Sequence, residues 1–280
     1  VIQAAPEPAL SLLAAAVLGL VEGLTEFLPV SSTGHLILAQ RLLGLSEGAA
    51  NNAFAVGIQM GAITAILALY WRRLLAAART ALRPTPGERN LLWQIALGAA
   101  PAAALGLIAD DWIDAHLFRS SVVAAAMVGG GVLLLALDRW VDRRSASGAE
   151  LGQLGYAAAW WIGVFQCLAL VPGVSRSAAT IAGALLLGAS RTAAAEFSFL
   201  VGLPILYGAS LLKLAKNPQA LAGDALLPFV VGAAVAFLSA LAVVAPFVRF
   251  LRTHGFAPFA WYRIVAGLVV AAACAAGWLA

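Results

Sequence analysis

Six runs of mainly apolar residues, at about 52–71, 91–109, 119–137, 196–213, 226–247 and 259–279, are each long enough to cross a bilayer. The hydrocarbon core is about 30 Å thick and takes about 20 helical residues. Lipid cannot hydrogen-bond a backbone amide, so the runs must cross as helices that satisfy their own N–H and C=O groups. Composition agrees: 62% of residues are hydrophobic and 11% charged, against about half and about a quarter in soluble domains. The runs leave no stretch for a separate soluble domain, and residues 1–280 are expected to form a single membrane domain.

Two further regions are built differently. Residues 10–28 then 33–45, and 155–171 then 177–188, each pair a longer apolar piece with a piece too short to span. Between the members lie Pro29-Val30-Ser31-Ser32-Thr33-Gly34 and Pro172-Gly173-Val174-Ser175-Arg176-Ser177. Broken backbone at membrane depth survives only where protein or a wet cavity satisfies it. Both regions are therefore read as re-entrant helical hairpins around an internal polar site.

The net charge of +4 comes almost wholly from arginines in the short polar gaps. They form no basic face of the kind that binds nucleic acid, so no nucleic-acid partner is expected. Arg72, Arg73, Arg79, Arg83 and Arg89 fill one loop, Arg139, Arg143 and Arg144 a second, and Arg249 and Arg252 a third, with Asp110, Asp111 and Asp114 between the first two. By the positive-inside rule the basic loops face the cytoplasm. Both termini then face outside, the first hairpin dips in from outside and the second from the cytoplasm. A loop holding Lys213 and Lys216 falls on the outer face, a mild violation. Cys167 and Cys274 lie in apolar segments without metal-type spacing and imply no disulfide. Val1–Pro8 lacks the basic region of a cleaved signal peptide.

Each half thus reads hairpin, span, span, span, repeat one at about 9–137 and repeat two at about 155–280. Three crossings per half invert the second half relative to the first. Pro29-Val30-Ser31-Ser32 answers to Pro172-Gly173-Val174-Ser175, Phe54 to Phe197, and Gly98-Ala99-Ala100 to Gly232-Ala233-Ala234. The expected fold is an all-α integral membrane protein of six transmembrane helices and two re-entrant hairpins in an inverted-topology repeat. Such repeats place the binding site near the midplane, where the broken helices meet.

The tips carry the chemistry. Glu22 and Glu26, four residues apart, share one helix face just ahead of the Pro29 break. A charge at mid-membrane costs roughly 2.5–3.5 kcal/mol on insertion scales, so two like charges need a cation, a shared proton or a basic partner. Ser31, Ser32, Thr33 and Gly34 precede the short helix and serve as an N-cap; the same geometry aims free N–H groups at an anion. His35 is one step further, within reach of an acid–base role or simply packed. Arg176 is the arginine at a hairpin tip and needs an anion. A carboxylate from Glu22 or Glu26 would suffice, yet a guanidinium flanked by Ser175 and Ser177 also suits a phosphoryl group. Together the tips offer an inventory suited to phosphoryl transfer.

At these residues the chain resembles the undecaprenyl pyrophosphate phosphatases. Glu22-Gly23-Leu24-Thr25-Glu26-Phe27-Leu28-Pro29-Val30-Ser31-Ser32-Thr33-Gly34-His35 is similar to their first signature, and Gln166 through Ser177 to their second. The likeness extends through Glu196-Phe197-Ser198-Phe199 and nearly the whole chain, with Val174 and Ala178 standing where Thr and Gly are expected. The resemblance implies hydrolysis of a C55 isoprenyl pyrophosphate to the monophosphate carrier of cell-wall synthesis. It also implies bacitracin resistance, a site at the outer face of the bacterial inner membrane, and a divalent cation, Mg or Ca. On that basis Glu22, Glu26, Ser32, His35 and Arg176 are expected to be catalytic, with Glu22 and Glu26 holding the metal. Ser31, Thr33, Gly34, Gln166, Gly173, Ser175 and Ser177 are expected to bind substrate. Ser32 is the preferred nucleophile with His35 or Glu26 as its base; His35 or water as nucleophile stays open. A homodimer is compatible with the sequence.

Two rivals remain. A transporter or lipid flippase fits the inverted repeat as well. An acid-phosphatase-like lipid phosphatase would want a histidine six residues after Arg176, where Ala182 stands.

Overall fold

The computed structural model describes residues 10–45, 49–81, 89–117, 119–143 and 148–279. Val1–Pro8, the start of the first repeat at residue 9, Arg83 and Arg144 lie outside the described residues, as do the side chains of Asp110 and Asp114.

Among the described residues the chain forms ten α-helices and no strand beyond an isolated bridge between Ala149 and Ala189. They are α1 (Leu12–Thr25), α2 (Ser32–Leu42), α3 (Ala49–Ala81), α4 (Leu91–His116), α5 (Ser120–Asp142), α6 (Tyr156–Gln166), α7 (Arg176–Leu186), α8 (Arg191–Lys216), α9 (Leu226–Leu251) and α10 (Ala257–Ala275). Six of these, α3, α4, α5, α8, α9 and α10, are long and apolar enough to span a membrane, α9 together with the turn before it. All six runs expected from sequence are among them. The structural helices run further where the chain leaves lipid. Helix α3 continues to Ala81 through alanine, leucine and arginine, all good helix formers. Helix α8 starts at Arg191 because Ser190 caps it, its Oγ accepting from the Ala193 N–H at 3.1 Å.

The two short helices are built alike. α2 and α7 have 11 residues each, about 16 Å at 1.5 Å per residue, roughly half the hydrocarbon core. Each begins at a serine of positive φ, Ser31 at 73° and Ser175 at 72°. Each ends at a left-handed glycine, Gly44 at 70° and Gly188 at 89°. The terminal hydrogen bonds also match: Gly44 N–H to Arg41 O and Leu45 N–H to Gln40 O, against Gly188 N–H to Leu185 O and Ala189 N–H to Ala184 O. This is the Schellman arrangement, which uses up the last carbonyls of a helix before the chain turns.

Packing follows the same correspondence. Helix α1 lies on α9 and α6 lies on α4, while α3 meets α8 and α5 meets α10. At the first pair a Cβ on Gly19 would lie 2.2 Å from the Gly232 carbonyl oxygen, and one on Gly232 3.3 Å from that of Ala15. At the second, a Cβ on Gly163 would lie 2.4 Å from the Gly98 oxygen, and one on Gly98 3.3 Å from that of Ala159. Small residues are what allow backbones to approach this closely in lipid, where no hydrophobic effect drives helices together. Contacts advance in step along each pair, since Gly19 meets Gly232 and Gly23 meets Ala236 and Ser239. So α1 runs parallel to α9, and Gly163 against Gly98 and Pro101 sets α6 beside α4.

Ion pairs fix which helix ends share a face. Arg73 near the end of α3 lies 3.4 Å from Glu196 near the start of α8. Arg191 at the start of α8 lies 2.9 Å from Asp138 and 2.5 Å from Asp142 at the end of α5. Asp138 also accepts from the Ala257 N–H at 2.9 Å, where α10 begins. At the opposite end of α8, Lys216 lies 3.2 Å from Asp111 of α4. One of the two lysines that strained the positive-inside pattern thus pairs with an acid near the end of α4.

The glycine contacts give a direct test. Gly19→Ala and Gly163→Ala should each destabilise the protein by about 1–3 kcal/mol through overpacking, read as a lower melting temperature in detergent. Gly129→Ala, on the exposed face of α5 with open space around its position, should leave the melting temperature unchanged or raise it.

Candidate active site

The two breaks meet. Glu26 caps the C-terminus of α1, its N–H bonded to the Glu22 carbonyl at 2.9 Å, and the chain then turns through Phe27–Val30 into α2. Arg176 is the first residue of α7. Its Nη2 donates to Glu26 Oε1 at 3.1 Å, and its Nη1 to the Ser198 carbonyl at 2.6 Å and Ser198 Oγ at 3.2 Å. Both members of the ion pair are more than nine-tenths buried. Gly202 makes room for the guanidinium, since a Cβ there would lie 2.8 Å from Arg176 Cζ. Ser32 Oγ donates to the other oxygen of Glu26, Oε2, at 2.7 Å. One carboxylate therefore holds the hydroxyl of the first tip and the guanidinium of the second.

These groups border a cavity of about 160 Å³. Glu26, Ser31, Ser32, Thr33, Gln166 and Arg176 supply much of its polar wall, with Gly173 and Ser175 at the second break; Leu170, Ile205 and Leu206 are among its apolar lining. At ~30 Å³ per water this is roughly five water volumes, enough for a small anion and far too small for a long lipid chain. A larger cavity of about 300 Å³ between α3 and α9 is bordered by Tyr70 and the exposed Arg249 and Arg252. Among the described residues it has no carboxylate in its wall, and it shares no lining residue with the cavity at the breaks.

Buried polar atoms without a hydrogen-bond partner gather at this centre. Among the described residues they are both Glu22 carboxylate oxygens, Ser31 Oγ, Gln166 Oε1, Arg176 Nε and Arg263 Nη1. Native interiors leave few such groups, and each calls for a partner such as an ion, a ligand or a water. Ser31 and Ser175 add backbone strain: a serine at φ near 72° costs of order 1–3 kcal/mol and holds only where its surroundings over-determine it. The serines differ in one respect. Ser175 Oγ accepts from the Ala178 N–H at 3.3 Å and shares a 3.0 Å hydrogen bond with Ser177 Oγ. Ser31 makes no such cap, so the first N–H groups of α2 stay available to an anion.

Other expected site residues are placed differently. Glu22 is fully buried with its carboxyl against that of Glu26, behind the cavity wall. Gly34 is a packing position, a Cβ there falling 2.2 Å from Met127 Sδ. Ser177 Oγ donates to the Leu28 carbonyl at 2.9 Å, tying the tips together away from the cavity. His35 Nδ1 lies 2.8 Å from the Ser31 carbonyl oxygen and its Nε2 2.8 Å from Tyr262 Oη. A carbonyl only accepts, so Nδ1 carries a proton, and a neutral ring would accept from Tyr262 at Nε2. On the cavity wall, the hydroxyl hydrogen-bonded to a carboxylate is that of Ser32, and its partner is Glu26. Sequence reasoning missed Gln59 on the cavity wall, Ser198 and Thr180 behind Arg176, and Tyr262 and Arg263 of α10. The signal for Arg263 was present, since it is an arginine inside the last apolar run, where a charge demands a reason.

Fold and site define a class: a polytopic helical membrane protein with a buried carboxylate, hydroxyl and guanidinium centre where two helix breaks converge. The chain belongs to the bacitracin resistance protein BacA family, whose model matches residues 15–269. It is 45% identical over 274 residues to the undecaprenyl-diphosphatase of Novosphingobium aromaticivorans, covering 96% of this chain and 98% of that one. It is also 45% identical to undecaprenyl-diphosphatase 1 of Chromobacterium violaceum, covering 91% and 93%. Against the undecaprenyl-diphosphatase of Sphingopyxis alaskensis the identity is 46%, covering 89% and 93%.

Removing one partner of a buried ion pair strands the other charge and typically costs about 3–5 kcal/mol, whereas removing both is often neutral. Glu26→Gln and Arg176→Met should therefore each lower the melting temperature sharply. The double variant should recover most of that loss while remaining inactive, a non-additivity read from a double-mutant cycle.

Proposed function

We propose that this site hydrolyses the phosphoanhydride of undecaprenyl pyrophosphate, releasing inorganic phosphate and the monophosphate lipid carrier used in cell-wall synthesis. Bacitracin resistance follows, because that antibiotic sequesters the pyrophosphate. The observation that carries the reading is the Glu26 carboxylate, joined at once to Ser32 Oγ and to Arg176 on the wall of an anion-sized cavity. The headgroup enters the cavity and the isoprenyl tail stays outside among the lipid-facing helices.

Ser32 attacks the terminal phosphorus while Glu26 Oε2 takes its proton. The bond to the bridging oxygen breaks, and the lipid monophosphate leaves. Glu26 passes that proton to the departing monophosphate, then takes one from the water that attacks the phosphoserine and returns it to the Ser32 oxygen as inorganic phosphate leaves. Arg176 and the free N–H groups at the start of α2 hold the non-bridging oxygens as charge shifts among them. His35 acts through Ser31, fixing the backbone of the tip.

A divalent cation suits the donor set. The unpartnered oxygens of Glu22 and Gln166 are hard ligands, and Glu26 adjoins the first. Among the described residues no cluster of three or more His, Cys, Asp or Glu side chains exists. A bound divalent cation would draw on Glu26 and Gln166 at the cavity wall, with the Glu22 carboxyl behind them. When bound, it would neutralise phosphoryl charge.

The membrane arrangement is read as an inverted repeat with the first hairpin entering from the outer face. Support comes from α1 running parallel to α9, which begins at the end where Lys216 meets Asp111. Helix α6 lies along α4, which begins at the opposite, arginine-rich end.

Purified protein in detergent should release phosphate from a long-chain isoprenyl pyrophosphate. A transporter would release none, as no gradient exists there. Chelator should suppress the release, with Mg or Ca restoring it. Ser32→Ala should lower the rate by on the order of 10³ or more, as loss of a nucleophile does elsewhere. Substantial residual turnover would transfer the attack to water.

A further inference from the structure

Helix α10 touches both breaks through two consecutive residues. Arg263 is fully buried, and among the described residues no ion pair to a carboxylate is formed by it. Its Nε donates to the Met127 carbonyl at 3.0 Å, and its Nη2 lies 3.0 Å from that of Ala126, 2.8 Å from that of Gly173 and 2.6 Å from that of Val174. The last two immediately precede Ser175, the strained serine that caps the helix bearing Arg176. A charged arginine held in a membrane interior by carbonyls alone is an expensive feature. Room for it comes from Gly130, where a Cβ would lie 2.3 Å from Arg263 Nη2. Glycine in mid-helix itself costs about 1 kcal/mol relative to alanine. The preceding residue, Tyr262, hydrogen-bonds His35, which bonds the carbonyl of the other strained serine, Ser31.

We infer that Tyr262 and Arg263 are positioning residues that hold the two hairpin tips in register. Arg263 fixes the second tip directly and Tyr262 fixes the first through His35. Neither borders the cavity, so their effect on turnover is geometric. The inference rests on the phosphatase reading for its kinetic test, and on backbone geometry alone for a second.

The experiment compares the purified wild type with Tyr262→Phe, Arg263→Lys and Arg263→Met. Tyr262→Phe removes one hydroxyl from a half-exposed ring and should leave the melting temperature unchanged. It should lower kcat by about tenfold to a hundredfold, the scale of a small misplacement of reacting groups, with KM altered less than kcat. Arg263→Lys should retain more activity than Arg263→Met. Adding Tyr262→Phe to His35→Ala should cost nothing further, since both break one chain. Hydrogen exchange is the readout free of turnover: Tyr262→Phe should speed exchange in the peptide covering 31–36, and Arg263→Lys in that covering 174–180. Unchanged kcat together with unchanged exchange in folded Tyr262→Phe would overturn the inference. If the arginine variants do not fold, Tyr262→Phe decides. Should the wild type release no phosphate, the phosphatase reading fails, and the exchange data still judge the positioning role.

Discussion

The buried pair of Glu26 and Arg176 is the constraint from which the rest of the architecture follows. Its members are 150 residues apart in sequence, so it forms only when the two halves of the chain close on each other. At membrane depth neither charge can be left unpaired cheaply, because an isolated ion there is costly. The pair therefore selects the one packing in which both breaks face inward. That packing then hands the second carboxylate oxygen to Ser32. Stability and chemistry are thus coupled through one side chain, and a buried ion pair that contributes little net stability can persist because the site needs both members.

Much of this was legible in the sequence because lipid leaves a chain few choices. The six spans follow from length and hydropathy, and the two breaks from proline, serine and glycine interrupting apolar runs. The pairing of Glu26 with Arg176 was readable as a demand, since intramembrane charge requires compensation. What the sequence could not display was direction. Whether Arg176 met Glu22 or Glu26 depended on the turn through Phe27–Val30, and whether His35 faced the cavity depended on the register of a short helix. There the ring is drawn to Ser31 and Tyr262, leaving Glu26 as the hydroxyl's partner. Gly34 read as part of an anion cradle, and the structure also packs it against the Met127 side chain. Arg263 stayed unread because hydropathy averaging hides one arginine in an otherwise apolar helix, and its partners are backbone carbonyls that carry no sequence signal.

Matched halves explain how a fold of this size sustains two strained turns. Each short helix is started by a positive-φ serine and stopped by a left-handed glycine, and each longer partner helix is seated on a span by a glycine contact too close for any side chain. The rigid seating of α1 on α9 and α6 on α4 leaves the tips little freedom to relax. Strain of a few kcal/mol is held locally because the surrounding helices cannot move to release it.

The two halves nevertheless divide the work, and the serines show how. Glycine would hold φ near 72° without steric cost, and the chain does use glycine for the comparable backbone at 44 and 188. Keeping serine at 31 and 175 therefore means that the hydroxyl matters. At the second tip that hydroxyl caps α7 and braces Ser177, which steadies Arg176, the residue between the two serines. At the first tip it is left without a partner among the described residues, on the cavity wall beside the uncapped start of α2. One break is thus finished as structure and supplies fixed positive charge. The other leaves α2 without a side-chain cap and hydrogen-bonds Ser32 to the Glu26 carboxylate. An anion in the cavity completes the first tip while meeting the charge of the second, so binding and activation occur at the same place.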